Sequence, residues 1–356
     1  MAPSPAPAPH PRFRSGERLR VGLVGAGMIS YHHLVAWSRQ TRAEVVAVCD
    51  PQIERARQRA AEFGIPAAYD RIEAMLDKET IDAVDIASPR ETHARLVEIA
   101  AERGIDALCQ KPLTPTLAEA ETLAARVAGK SRLMVHENWR FRPWYRALRQ
   151  WLARGDLGQV QWATMTMLSS GLVRDASGRF PDLVRQPFMA NEKRLMIAEV
   201  LIHHLDVVRW LFGPLRLVAA RTAHRVPEVA GEDLAAIFLE AATGAPVIVG
   251  GTLAAPGFGA GTGDRLEIVG SAASALLAGA ELSLLGPAPR QESFDFERDY
   301  QASFDGAIGH FVDCLASGGA FETDVLDNLE TLRLVDQAYA AADAGRATAN
   351  EGSDDR

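Results

Sequence analysis

Between Leu19 and His136 the chain repeats one pattern: a short apolar run rich in β-branched residues, then a stretch with helical periodicity. Leu19 to Val24, Glu44 to Cys49, Asp82 to Ala87, Asp106 to Cys109 and Leu133 to His136 read as strands. Met28 to Trp37, Ile53 to Phe63 (closed by Gly64), Glu91 to Ala101 and Thr116 to Val127 read as helices between them. Strands buried on both faces carry this continuous apolar texture, and each parallel neighbour needs a crossover long enough to hold a helix. The alternation therefore predicts an α/β domain with a doubly wound parallel sheet. Right-handed crossovers bring the carboxyl ends of such strands to one edge, where ligands bind.

Past Glu137 the texture changes. A helix over Trp144 to Arg154, an alternating run over Gln159 to Leu168 and a polar, irregular stretch from Ser169 to Arg194 precede a strong helix over Ile197 to Phe212, stopped by Gly213 and Pro214. Strand-like runs follow at Leu217 to Arg225, Leu234 to Glu240, Pro246 to Leu253, Arg265 to Val269, Ala275 to Leu277 and Leu282 to Leu285. Turn residues and short loops join them, so this C-terminal α+β domain should hold an open, largely antiparallel sheet. One face would pack on the chain's own helices and the other on a second subunit, as a homodimer or homotetramer. Two last helices, near Phe304 to Ala316 and Val325 to Ala342, are expected to fold back across the domains. The organisation predicted is a disordered tail over 1–18, a doubly wound domain over 19–137, a substrate and oligomerisation domain over 138–345 and a frayed tail over 346–356.

The chain's 356 residues suit two such domains, and its net charge of −8 argues against a nucleic-acid groove or an anionic membrane surface. No apolar run reaches the ~18 residues of a membrane span, and Met1 to Arg20 lacks the apolar core of a secretory signal. Three separated cysteines show neither metal-ligand nor disulfide spacing. A cytoplasmic protein without a metal site is the expectation.

Gly25-Ala26-Gly27-Met28-Ile29-Ser30 lies between the first strand and the first helix. Gly25 permits a tight turn, Gly27 lets backbone approach a pyrophosphate, and the helix N-terminus favours its charge. Serine stands where a third glycine is usual and is small enough for helix–strand packing. Asp50 ends the second strand, a little over ~20 residues on, where a carboxylate accepts from ribose hydroxyls and repels a 2′-phosphate, favouring NAD over NADP; it can equally cap the turn before the next helix. Ser88-Pro89, with His93 beyond, ends the next strand, under the span from adenosine to nicotinamide. His32 and His33 read as structural.

Lys111 follows the strand ending at Cys109-Gln110 and precedes Pro112. An ammonium at that edge points into the ligand crevice, where it would stabilise an alkoxide as hydride leaves. In the later helix Glu199, His203, Asp206 and Trp210 fall at i, i+4, i+7 and i+11 on one face. His203 can take a hydroxyl proton and Glu199 can hold a substrate hydroxyl. His204, rotated about 100° from it, reads as packing more than chemistry.

In these motifs, together with Asn138, Arg140 and Pro143 and the segment Gly155 to Gly158, the chain resembles the glucose–fructose oxidoreductase / inositol dehydrogenase / MocA (Gfo/Idh/MocA) family over about Leu19 to Ala340. The resemblance implies an NAD(P)-dependent oxidoreductase acting on a sugar, polyol or sugar acid. It places the catalytic roles on Lys111, Glu199 and His203. The cofactor would be held by Gly25, Gly27, Met28, Ile29, Asp50, Ser88, Pro89, His93, Gln110, Lys111 and Asn138. Substrate would meet Lys111, Arg140, Glu199, His203 and His204. Two departures stand out: Gln110 replaces the family's usual glutamate before the lysine, and Glu199 replaces its usual aspartate. Arginines at 174, 179 and 185, with Arg140 and Arg142, are expected to pair with a substrate carboxylate. An NAD-dependent glycosidase of the same fold, with no net redox change, and a non-catalytic NAD-responsive regulator are the alternatives.

Overall fold

In the computed structural model, residues 17–261 and 263–351 are described, the last six of these as backbone only. Of the terminal segments expected to be tails, residues 1–16 and 352–356 lie outside them, whereas 346–351, expected to fray, continue the last helix. The described residues form two compact units, one within residues 1–141 and 300–330 and the other within 142–299 and 331–356.

The first unit is built on six strands: β1 (Leu19–Val24), β2 (Ala43–Cys49), β3 (Ala67–Tyr69), β4 (Ala83–Ile86), β5 (Asp106–Gln110) and β6 (Leu133–His136). Their order is β3-β2-β1-β4-β5-β6, every pairing parallel. The order reverses at the β1/β4 junction, and ligands of open α/β sheets bind beyond the carboxyl ends at such a point. The crossovers hold α1 (Ser30–Ser38), α2 (Ile53–Phe63), α3 (Ile72–Lys78), α4 (His93–Glu102) and α5 (Leu117–Val127). Gly64 ends α2 in the left-handed conformation, and Thr116 caps α5 by accepting from the Glu119 N–H. β3 and α3 carry too little periodicity to be read from sequence; they are three and seven residues long. On one side of the sheet, residues of Tyr300–Glu330 complete the core: Phe304, Ile308, Phe311 and Leu315 pack with Leu19, Val21, Trp37 and Met134. Cys49 and Cys109 pack in the sheet, and burial pushes the Cys49 thiol up to about 12, so it behaves as a small apolar side chain.

The second unit holds an eight-stranded sheet in the order β14-β13-β12-β11-β7-β10-β9-β8, with β7 (Val160–Leu168), β8 (Leu215–Ala223), β9 (Leu234–Ala241), β10 (Pro246–Thr252), β11 (Asp264–Gly270), β12 (Ser274–Ala278), β13 (Glu281–Leu285) and β14 (Arg290–Ser293). All neighbours are antiparallel except β7 and β10. Alternation is plain in β11, where Leu266 and Ile268 are buried while Arg265, Glu267 and Val269 are exposed. β14 was not legible, because Arg290–Ser293 is polar and wholly exposed. The stretch expected to be irregular contains α7 (Pro181–Arg185) and a 3₁₀ turn at Pro187–Asn191. α6 (Pro143–Ala153) and α8 (Ile202–Phe212) belong to this unit, and α9 (Phe296–Ser317) and α10 (Val325–Glu351) end the chain.

The long helix expected over Ile197 to Phe212 is not uniform: Met196–Leu201 is a π turn and only Ile202–Phe212 is α-helical. Nor does it have one polar stripe, since every residue from Ile202 to Val208 is buried. An all-round buried helix is a core element whose polar members must find partners inside.

Candidate active site

The glycine turn leaves β1 and enters α1. Gly25 has φ +99°, and a Cβ there would lie 2.6 Å from the Ala87 carbonyl oxygen and 2.7 Å from the Ser88 nitrogen. Only glycine allows β1's exit to lie so close to β4's exit. A Cβ on Gly27 would meet nothing within 4 Å. That open ground is part of a cleft of about 310 Å³ lined by Ala26, Gly27, Met28, Arg55, Gln58 and Arg59. Met28 is exposed and Ile29 half-buried beside it.

Asp50 braces this turn. One carboxylate oxygen accepts from the Ala26 N–H at 2.9 Å and the other from the Gln52 N–H at 2.8 Å. The carboxylate thus joins the first two strand ends. A turn with a free approach at Gly27, a helix N-terminus behind it and a carboxylate at the neighbouring strand end fits the pyrophosphate and ribose of a dinucleotide.

His93, expected among cofactor contacts, is buried between two loops instead. Its Nε2 lies 2.8 Å from the Ser88 carbonyl and its Nδ1 3.0 Å from the Pro112 carbonyl. Burial lowers its pKa, outweighing the backbone hydrogen bonds at Ser88, Pro112 and Leu113 and the Glu91 charge that raise it. The ring ties the exit of β4 to the residue after Lys111. Ser88 is half-buried, with its hydroxyl on Thr92, and Pro89 is exposed.

Lys111 stands one residue past β5, and the Lys111–Pro112 peptide is cis. Its backbone N–H donates to Gln110 Oε1 at 2.8 Å. The Gln110 amide nitrogen is 3.0 Å from His33 Nε2 and 3.5 Å from His136 Nδ1. Gln110, expected at the cofactor, thus directs its amide nitrogen to the two buried imidazoles and its oxygen to the Lys111 N–H, and so braces the strand edge. Asn138 likewise donates to the Ser303 hydroxyl at 2.7 Å in the core. Arg140, expected to meet substrate, is 2% exposed and donates to the Glu322 carbonyl and the Asp327 carboxylate. A buried guanidinium with those partners is structural. Arg174 and Arg185 pair with Glu228 and Asp182, and Arg179 donates to Ser177, so these three do not form one anion cradle.

In the second unit Glu199 lies on the π turn, half-buried, and His203 on the first turn of α8, 9% exposed. The π turn alters the spacing on which an i, i+4 stripe depends, so Glu199 and His203 do not share a regular α face. Glu232 holds the turn's start: its carboxylate accepts from the Ile197 N–H at 3.1 Å, the Leu195 N–H at 3.4 Å and the Tyr339 hydroxyl. The Tyr339 oxygen in turn accepts from the Ala198 N–H at 3.3 Å. Burial and then the Glu232 charge raise the Tyr339 pKa, keeping it a donor. Asp206 accepts from the Thr331 hydroxyl at 2.9 Å.

His204 is wholly buried with Nε2 3.0 Å from Asp264, correcting its expected place at the substrate. Asp264 also accepts from Arg142 at 2.9 Å and Tyr145 at 2.8 Å. Burial pushes the Asp264 pKa up, but His204, Arg142 and Tyr145 outweigh it and hold the carboxyl below its ordinary value. Sequence reasoning missed Asp85, Glu232 and Tyr339. Asp85 did carry a signal, a carboxylate inside an apolar strand, which must be partnered. Glu232 and Tyr339 carried none. Among the described residues no group of three or more His, Cys, Asp or Glu is set to hold a metal ion. No helix among them is long and apolar enough to cross a membrane.

Two family models match the chain. Residues 19–138 match the oxidoreductase family, NAD-binding Rossmann fold, and residues 145–276 the GFO/IDH/MocA C-terminal domain. The chain is similar to a D-apiose dehydrogenase of Paraburkholderia graminis, 34% identical over 93% of this chain and 89% of that one. It is 31% identical to inositol 2-dehydrogenase 4 of Saccharopolyspora erythraea, over 94% and 96%. Among solved structures, an Agrobacterium radiobacter oxidoreductase in complex with NAD+, L-tartaric acid and magnesium is similar with a TM-score of 0.86, 29% identity and coverage of 92% and 97%.

Proposed function

The chain belongs to the Gfo/Idh/MocA oxidoreductase family, and from that premise we propose how its residues divide the work of an NAD(P)-dependent oxidoreductase acting on a hydroxyl-bearing carbon of a sugar, polyol or sugar acid. Bound NAD supplies the hydride acceptor or donor. Lys111 holds the substrate oxygen as negative charge grows on it. His203 takes the hydroxyl proton, and Glu199 accepts from a neighbouring substrate hydroxyl or orients the imidazole. The turn at Gly25, Gly27, Met28 and Ile29 receives the pyrophosphate, Asp50 the ribose, and Ser88 and Pro89 border the path to the nicotinamide. The observation that carries the reading is Lys111 itself, fixed by its backbone at the carboxyl edge of β5, in the unit whose glycine turn abuts β4.

The expected test result is specific. Lys111→Ala should keep NAD binding and lose about 10²–10⁴-fold in kcat, the range for a group acting in the transition state. Unchanged turnover would end this assignment. A fluorescence screen of sugars, polyols and aldonic acids should find a substrate that makes NADH accumulate; a redox-neutral glycosidase would turn over without accumulation. The sugar dehydrogenase among its relatives and the tartrate-bound neighbour support starting with branched sugars and sugar acids.

NAD is preferred over NADP, because the Asp50 carboxylate would repel a 2′-phosphate; a higher kcat/KM with NADP overturns this. Three buried cysteines without a disulfide suit a cytoplasmic protein. The sheet of the second unit exposes Trp162 beside its cross-strand partner Val269, with Val218, Phe238 and Leu285 also exposed. Such apolar sheet surface supports pairing with another copy, and a monomer by light scattering would overturn it.

A further inference from the structure

We propose that Gln110 is a positioning residue for Lys111, acting through a proton-neutral strut that runs Asp85–His33–Gln110–Lys111. The proposal rests on the reading of Lys111 as the catalytic cation. The strut lies wholly in the first unit. Asp85 sits inside β4, fully buried. One of its oxygens accepts from the Trp37 indole N–H at 2.7 Å and lies 2.7 Å from His33 Nδ1. His33 Nε2 is 3.0 Å from the Gln110 amide nitrogen, and Gln110 Oε1 accepts from the Lys111 N–H at 2.8 Å.

The proton positions follow from the one member that has no choice. The Lys111 backbone N–H can only donate, so the amide oxygen of Gln110 must face it. The amide NH₂ then faces His33 and can only donate there. His33 Nε2 must therefore present a lone pair, and the ring's single proton sits on Nδ1, donated to Asp85. The second amide hydrogen points toward His136 Nδ1 at 3.5 Å. Asp85 and His136 are titratable groups that meet the His33 ring, and the Phe304 ring and Gln110 also pack against it. Each link is a donor facing an acceptor, and only Asp85 carries charge.

A carboxylate at position 110 would break that order. One oxygen could still accept from Lys111, but the other would face the His33 lone pair. Two acceptors in a buried site repel unless a proton lies between them. A Gln110→Glu enzyme must therefore bind one extra proton to keep the strut closed. As pH rises and that proton leaves, the strut opens beneath Lys111.

The experiment has three arms. ¹⁵N-histidine NMR of the wild-type chain without cofactor, with His33 assigned by its loss in His33→Asn, should show a neutral ring protonated on Nδ1 through the neutral range. A charged ring, or a proton on Nε2, overturns the strut, and this arm decides even if Gln110→Glu does not fold. In Gln110→Glu the ratio of kcat/KM to wild type should fall about ten-fold per pH unit once the extra proton is released, as loss of one required proton dictates. A ratio flat with pH overturns the strut. Lys111→Ala separates the two ideas: retained turnover overturns the catalytic reading, whereas lost turnover beside a flat ratio overturns the strut alone.

Discussion

Two regions of the chain, the end of β5 in the first unit and the start of α8 in the second, are supported by different chemistry. At the Lys111 end a side-chain amide, an imidazole and one buried carboxylate fix a strand edge through short hydrogen-bonded links. At the Glu199–His203 end ionised groups do the work. Glu232 collects the N–H groups at the start of a π turn, and Asp264 collects Arg142, Tyr145 and His204 under α8. The difference follows from the backbone. A central parallel strand has its polar groups paired by its neighbours, so its last residue needs only a small neutral brace. A helix start leaves several N–H groups unpaired, and a carboxylate there both accepts from them and suits the helix's positive end. One end is held by topology, the other by charge.

Removing the charge under α8 should have the largest effect on stability. Asp264→Asn leaves Arg142 without its carboxylate, and breaking a buried pair costs about 3–5 kcal/mol. Because the folded carboxyl titrates below its ordinary value, its contribution is fully present above the unfolded aspartate value of about 3.9 and is lost as pH falls through the lower folded value. The Tm gap between wild type and Asp264→Asn should therefore be constant near neutrality and narrow in acid. A gap that widens in acid, or no gap at all, would remove the contrast between the two ends.

Glu232→Ala comes next. It strands the N–H groups of Leu195 and Ile197, and a buried donor without an acceptor costs about 1–3 kcal/mol. Since Glu199 rides on that turn, kcat should fall with stability while NAD affinity holds. Chemical denaturation beside single-turnover kinetics checks both. Loss of NAD affinity with intact kcat would mean that Glu232 serves something other than the turn.

The same contrast explains what the sequence made legible. The Lys111 end could be read because strand, turn and helix follow from local pattern, and sheet topology then delivers the strand edge. Gly25, Asp50 and Lys111 needed only their places in that pattern. Their detailed partners did not: His93 was expected at the cofactor and instead bridges Ser88 to Pro112, because nothing local reveals which carbonyls a buried ring will meet. Glu199 and His203 could be singled out by residue type, but their supports lie 33 and 140 residues beyond Glu199, at Glu232 and Tyr339. The π turn itself has no local signature, since the sequence keeps ordinary helical periodicity through it. Arg140 and His204 show the same limit from the other side. A charged or titratable side chain beside a site looks functional until its buried partner, Asp327 or Asp264, is known.

The finest test concerns one hydroxyl. Tyr339 donates to Glu232 and accepts from the Ala198 N–H, so it links the charged support to the last backbone group of the turn's start. Tyr339→Phe keeps the ring, and with it the Arg194 guanidinium stacked 4.2 Å above it, and removes only the oxygen. The loss should be about 1 kcal/mol, the usual net worth of one hydrogen bond. Glu232 is left with its two backbone donors, so Glu232→Ala in the Tyr339→Phe background should cost less than in the wild type, as expected when two groups act on one turn. Strict additivity in that double-mutant cycle would show that the tyrosine and the glutamate hold different things, and would reduce the charged support to Glu232 alone.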